Sequence, residues 1–150
     1  MLVKLTSGLE IRVGDEDETY SSSDLEPTAE VLTESGWKSL PSPLSNSQCW
    51  LSINASTVMA IGGRQLSGDH RNSMIYRLED WTSTEGPPIT IDRYAHSCAR
   101  IRNGADESQG YSLIVAGGEG VDPETSVFLK SVEILDDGAS KWRNGPGKKL

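Results

Sequence analysis

Apolar residues along this chain occur in short runs that polar or glycine-rich segments separate. Three such runs end in glycine, and they occupy residues 9–14, 58–63 and 113–118. A second set of short apolar segments follows them, at residues 29–32, 74–78 and 131–135. Short runs bounded by turn residues, without a 3.6-residue period, are typical of β-strands. We therefore predict an all-β chain with no amphipathic helix.

Further signals recur in the same order. A tryptophan with a proline soon after it follows each segment of the second set, at Trp37, Trp81 and Trp142. Residues 46–50 and 94–98 precede the second and third glycine runs and place Cys49 and Cys98 at equivalent positions. A period of about 50 residues indicates a repeat architecture.

The third repeat resembles a Kelch repeat. The resemblance rests on residues 93–98, the glycine pair Gly117 and Gly118, the strand at 132–135, and Trp142. The second repeat fits almost as well, whereas the first departs because Gly14 is followed by an acid and its innermost strand is short or absent.

The resemblance implies an all-β fold of Kelch-type β-propeller blades, each with four antiparallel strands, named a to d from the inside outward. About three blades are expected, a partial one at 1–43, a second at 44–90 and a third at 91–150. Because closed propellers need about 4 to 8 blades, three form an incomplete ring, and the chain is expected to be a piece of a longer Kelch protein. The remaining blades of the same propeller would then cover apolar faces on both terminal blades.

Glycine and tryptophan are expected to be structural at the repeat positions. The glycines let backbones approach closely, and the tryptophans pack between blades. These positions are Gly14, Gly62, Gly63, Gly117, Gly118, Trp37, Trp81 and Trp142. Residues 117–120 are glycine-rich but lack the helix and the Lys-Ser/Thr pair of a phosphate loop.

Three other features carry weaker signals. Cys49 and Cys98 are expected to be buried free thiols, because blade spacing would hold them apart; this slightly favours an intracellular setting and leaves an extracellular one possible. His96 and His70 lack metal-ligand spacing, so we expect no metal and no cofactor. Asn54 begins an Asn-Ala-Ser sequon on a hairpin turn, which matters only in the secretory pathway.

The loops between strands b and c are the candidate partner-binding surface, together with the d–a loops that emerge at the same end. Long polar loops on a rigid scaffold commonly carry recognition residues. The candidate residues are Asp15, Glu16, Asp17, Glu18, Arg64, Asp69, Arg71, Glu119, Asp122 and Glu124. The acidic block at 15–18 is either a contact for a basic partner or a solvated loop.

The net charge limits the classes of partner that the chain can bind. The 22 acidic and 14 basic residues give a formal net charge of -8, which disfavours nucleic acid and anionic lipid as partners. No apolar stretch approaches the ~18 residues of a membrane helix. No catalytic constellation is visible, so we expect a non-catalytic module that binds another protein. The alternatives are an enzyme of the galactose-oxidase-like Kelch type and an extracellular adhesion module.

Overall fold

The computed structural model describes residues 2–5, 8–14, 28–41, 49–63, 71–121 and 126–146, which form three four-stranded antiparallel sheets and one small hairpin. The first sheet contains β1 (Leu2–Lys4), β2 (Glu10–Val13), β3 (Ala29–Thr33) and β4 (Gly36–Ser39). The second contains β5 (Cys49–Asn54), β6 (Thr57–Ile61), β7 (Ser73–Arg77) and β8 (Thr82–Gly86). The remaining strands are β9 (Ser97–Arg102), β10 (Tyr111–Ala116), β11 (Glu119–Val121), β12 (Ser126–Phe128), β13 (Val132–Asp136) and β14 (Arg143–Asn144).

Each large sheet is a meander in which strands pair in chain order. The third sheet follows the same order through β9, β10, β13 and β14, with the hairpin β11–β12 inserted between its second and third strands. The expected all-β class is confirmed, and in the described part of the chain the one helical segment is a single 3-10 turn at Glu107–Gln109. The three sheets do not close into a barrel, which fits an incomplete set of propeller-like blades.

The first glycine of each glycine run makes the same backbone hydrogen bond in all three sheets. Its N–H donates to the carbonyl of the residue immediately before the third strand of the same sheet. The donor–acceptor pairs are Gly14 to Thr28 at 3.0 Å, Gly62 to Asn72 at 2.8 Å and Gly117 to Ser131 at 3.2 Å. All three glycines have positive φ, a conformation that a side chain disfavours. The repeat that the sequence indicates is therefore also a repeat of backbone geometry.

The second sheet is buried on both faces, and this divides the core into two clusters. Between the first and second sheets lie Leu5, Ile11, Val13, Ala29, Val31, Leu40, Trp50, Val58, Ala60, Met74 and Tyr76. Between the second and third sheets lie Leu51, Met59, Ile61, Ile89, Leu113, Val115, Leu135 and Trp142. Adjacent residues of β6 point to opposite faces, so its continuous run Val58–Ile61 supplies both clusters.

Two of the three repeat tryptophans, Trp81 and Trp142, reach back to the sheet before their own. Trp142 Nε1 donates to the carbonyl of Pro87 and Trp81 Nε1 to that of Ser39, both at 2.8 Å. Trp142 is 5% exposed and Trp81 half-buried, as expected for packing between blades. The expectation is wrong for Trp37, which is 37% exposed. No sheet among the described residues precedes the first one, and the Arg12 guanidinium lies over the Trp37 ring instead, 4.7 Å from its centroid.

The two cysteines form a disulfide, so the expectation of free thiols is wrong. The Cα atoms of Cys49 and Cys98 are 6.0 Å apart, within bridging distance. Blade spacing does not hold them apart, because both lie on first strands, β5 and β9, and these inner strands run beside each other. The bridge joins the second sheet to the third at their inner edges.

The outer faces of the array differ from each other. Cross-strand partners share a face, and the pairs Ile114–Ile134 and Ser112–Ile101 lie on the outer side of the third sheet. Ile101 is 47% exposed there, and Ile114 and Ile134 are half-buried. An apolar outer face was expected on both end sheets, and the third sheet has one.

The outer face of the first sheet is mixed, which corrects that expectation. Arg12 and Glu30 pair across its centre, and Lys4 lies 3.7 Å from Glu10. Leu2, Leu32 and Trp37 are exposed toward the ends of the strands on the same face. Ion pairs therefore replace the apolar centre that the third sheet presents.

The equivalent tryptophans give a matched test of packing. Trp142→Ala should lower the free energy of unfolding by about 3–5 kcal/mol, the usual cost of removing a buried tryptophan. Trp37→Ala should cost less than about 1 kcal/mol, since surface changes usually have small effects. Urea unfolding of the two variants measures both values, and similar losses would contradict this assignment of inner and outer tryptophans.

Candidate functional site

One end of the second and third sheets gathers the glycine pairs and the segment that connects these sheets. We call it the glycine end, defined by Gly62, Gly63, Gly117, Gly118 and the connecting segment 90–96. Gly63 N–H donates to the carbonyl of Arg93 at 3.1 Å, so the connecting segment is fastened to the end of β6. The opposite end, where the tight turns of the β5–β6 and β13–β14 hairpins lie, is called the hairpin end.

A buried ion pair anchors the connecting segment to the third sheet. Arg93 and Glu133 are fully buried, and Arg93 Nη2 lies 2.9 Å from Glu133 Oε2. Arg93 also donates to the carbonyls of Gly117 and Ser131 and to the Ser131 hydroxyl. The other carboxylate oxygen of Glu133 accepts from the backbone and the hydroxyl of Thr90, both at 2.6 Å. Apart from Arg93 Nε, which is buried without a partner, the polar atoms of both charged groups are hydrogen-bonded, as a stable buried pair requires.

His96 lies in the narrow space between the two glycine pairs. A Cβ at Gly62 would come within 2.8 Å of His96 Cε1, and one at Gly118 within 2.8 Å of His96 Cβ and 2.5 Å of the Tyr94 carbonyl. Both glycines have positive φ as well. Their lack of a side chain therefore has a structural cause, the close approach of this segment.

Burial makes His96 hard to protonate. Desolvation, and next the positive charge of Arg93, lower its pKa to about 4, although the Ile61 carbonyl and Glu133 act in the opposite direction. At neutral pH the imidazole is therefore uncharged.

The β11–β12 hairpin carries the most exposed large apolar side chain of the described residues. Phe128 is 79% exposed and Val127 48% exposed. The hairpin is held at its base, where Tyr94 and Glu119 exchange backbone hydrogen bonds of 3.0 and 2.9 Å. The Tyr94 hydroxyl also donates to Glu119 Oε2 at 2.6 Å. The only phenylalanine of the chain therefore stands in solvent on an anchored support.

Two of the predicted contact residues fall within the described part, and both lie at the glycine end. Glu119 forms the base of the hairpin, and Arg71 Nε lies 3.3 Å from Asp92 Oδ1 on the connecting segment. The b–c positions and the d–a segment thus meet at this end. The other predicted contacts, Asp15, Glu16, Asp17, Glu18, Arg64, Asp69, Asp122 and Glu124, lie outside the described residues, as does His70.

Sequence reasoning missed Phe128, Tyr94 and Glu133 as members of this region. Phe128 could have been noticed in the sequence, because it is a single phenylalanine in an otherwise mostly polar segment between strands b and c. Glu133 gave a weaker one, an acid within the apolar segment of strand c. Tyr94 offered no signal, because its role depends on a pairing across two loops.

Side chains that could bind a metal are scattered in the described ranges, where no three His, Cys, Asp or Glu residues come together to hold an ion. Nor does any helix in those ranges have the length and apolar character needed to cross a membrane.

Comparison with known proteins gives no further guide to the function, since no family model matches the chain and no curated protein is significantly similar to it.

Glu133→Ala should destabilise the protein by about 3–5 kcal/mol, because it leaves the Arg93 charge buried without its partner. Asp136→Ala is the matched control on the same strand. It removes an exposed ion pair with Arg143 and should cost far less, because exposed pairs contribute little to stability. Denaturant unfolding separates the two, and an equally mild effect of both would show that the Arg93 network does not hold the connecting segment.

Acid should weaken the fold through His96. The unfolded state binds this proton below a pKa of 6.5 and the folded state only below about 4, so stability is full above pH 6.5 and falls as pH drops toward 4. The loss is on the order of 2 kcal/mol, since each pKa unit is worth about 1.4 and residual exposure reduces the total. His96→Gln should remove this component. An unchanged difference in unfolding free energy between pH 7 and pH 4.5 in the variant would contradict it.

Proposed function

We propose that this chain is a non-catalytic, protein-binding module of the Kelch-repeat type. Its sheets act as a scaffold, and its glycine end acts as the recognition surface. The Kelch assignment is supported by the recurring glycine hydrogen bond and by the tryptophans that reach back to the preceding sheet. Both features repeat at the positions that carry the sequence resemblance.

The observation that carries the binding proposal is the exposure of Phe128. The Phe128 ring is 79% exposed, so it would gain the free energy of apolar burial if another molecule covered it. Exposed apolar surface of this kind marks interaction sites. Aromatic side chains are enriched at protein interfaces, where a few of them provide most of the binding energy. The fastened hairpin base also limits the ordering cost of binding, because less freedom is lost.

The surroundings of Phe128 indicate the chemistry of the partner. Glu119 is its cross-strand neighbour in the hairpin, and the chain as a whole is acidic. We propose a partner protein with an apolar pocket for the ring and basic side chains around that pocket. Complementary charge at the rim would speed association, while the ring would set the residence time.

The apolar outer face of the third sheet supports a second part of the proposal, that a further blade packs there. Ile114 and Ile134 pair in the third sheet as Met59 and Ile75 pair in the second. In the second sheet this pair faces the next sheet and contributes to the core between them. The outer face of the third sheet is therefore equivalent to the face of the second sheet that packs against the third, but no described sheet covers it.

Phe128→Ala tests the binding proposal. With a partner selected from a displayed peptide or protein library, the variant should bind at least about 10-fold more weakly, mainly through faster dissociation. Its thermal unfolding should match that of the unaltered chain, because the ring contributes little to the core. The measurement is surface plasmon resonance at fixed salt.

Ile101→Ala is the control, since this residue is also exposed and apolar but lies toward the hairpin end. It should leave the affinity unchanged. Equal affinity of the Phe128 variant and the unaltered chain for every selected partner would contradict the proposal.

A further inference from the structure

The β5–β6 turn, at the hairpin end of the second sheet, carries the one Asn-x-Ser/Thr sequon of the 150-residue sequence. Asn54 ends β5, Ala55 and Ser56 form the turn, and Thr57 begins β6. Asn54 and Ala55 are exposed, and Ser56 is half-buried. A sequon is accessible to a glycosyl transferase only on such an exposed surface segment.

The backbone around the sequon shapes the acceptor asparagine. The pairing register between β5 and β6 shifts between Ser52 and Asn54, a bulge of the kind that redirects a side chain. Asn54 Oδ1 accepts hydrogen bonds from the Ser56 backbone N–H at 3.0 Å and from the Ser56 hydroxyl at 3.3 Å. The hydroxyl that defines the sequon is therefore already in contact with the acceptor amide.

The disulfide provides an independent indication of the compartment. Cys49 and Cys98 are bridged, and together they are all the cysteines of the chain. Disulfides persist in the lumen of the endoplasmic reticulum and outside the cell, and they are rare where thiols are kept reduced. N-linked sugars are attached along the same route.

We infer that Asn54 is an N-glycosylation site of this protein. The donor is an oligosaccharide joined to a lipid through a diphosphate. Asn54 Nδ2 forms a bond to the anomeric carbon of the first sugar, and the bond from that carbon to the diphosphate oxygen breaks. The lipid diphosphate leaves with the bonding electron pair, and Nδ2 releases one proton to water, so no oxidant or reductant takes part.

The position of the glycan leaves the proposed recognition surface open. Asn54 lies at the hairpin end, whereas Phe128 and Glu119 lie at the glycine end. The turn also borders a groove between the first and second sheets. The residues lining the groove include Leu9, Ala55, Ser56, Leu78 and Trp81. The first sugars are attached beside this partly apolar surface.

The test is to express the chain behind an added secretion signal in cultured animal cells. Intact-mass and peptide mass spectrometry should find a glycan on Asn54 in most secreted molecules, and peptide-N-glycosidase should remove it and convert the residue to aspartate. Non-reducing peptide mapping of the same sample should recover Cys49 linked to Cys98.

Two variants of one residue give a matched control. Ser56→Ala should abolish the modification, and Ser56→Thr should keep it, because threonine also supplies the required hydroxyl. The inference is overturned if secreted, disulfide-linked chains carry an unmodified Asn54. It is also overturned if the secreted chains have free thiols, since the argument for the compartment then fails.

Discussion

Burial of the second sheet on both faces is the constraint on which the rest of this structure depends. Its apolar side chains point alternately to the first and the third sheet, so neither neighbour can be removed without exposing one of the two core clusters. The interactions that fix the neighbours are few and specific. Trp81 bonds back to the first sheet, while Trp142 and the disulfide join the third sheet to the second. Each of these interactions joins residues that are far apart in the sequence, and the loss of chain entropy opposes such contacts.

Local patterns encode the strands, and these were largely predictable. The apolar runs correspond to β2, β6 and β10, and the glycine that ends each run has the positive φ that a side chain disfavours. These features depend on neighbouring residues alone. The turn that follows β13 is a similar case, since Gly138 also has positive φ.

Contacts between sheets were harder to predict, because they depend on how the sheets converge. The bridge between Cys49 and Cys98 follows from the approach of the inner strands, which no local pattern reports. The exposure of Trp37 has a similar origin, since an identical repeat position is buried only where a sheet lies beside it. Glu133 lies within an apolar strand, and its buried partner Arg93 is 40 residues away in the sequence. At the candidate site, the sequence placed the b–c positions and the d–a segment at one end of the sheets, but it did not single out Phe128, the most exposed large apolar residue of the described part.

The two ends of the sheets are specialised differently. At the glycine end the backbone is crowded, and a buried charge pair holds the connecting segment in place. At the hairpin end, the β5–β6 turn carries the sequon. An end that presents one exposed ring and an end that carries the sequon are compatible on a single β scaffold, because strands separate them.

The unlike outer faces of the first and third sheets also limit how copies of this chain can assemble. Stacking copies head to tail would place Ile114 and Ile134 of one copy against Arg12 and Glu30 of the next, and burying such charges costs several kcal/mol per ion. An open contact of that kind, repeated indefinitely, is what produces fibres. The charged face of the first sheet therefore opposes filament growth. If instead the third sheets of two copies met across a two-fold axis, they would form a closed dimer that adds no further copies through that face.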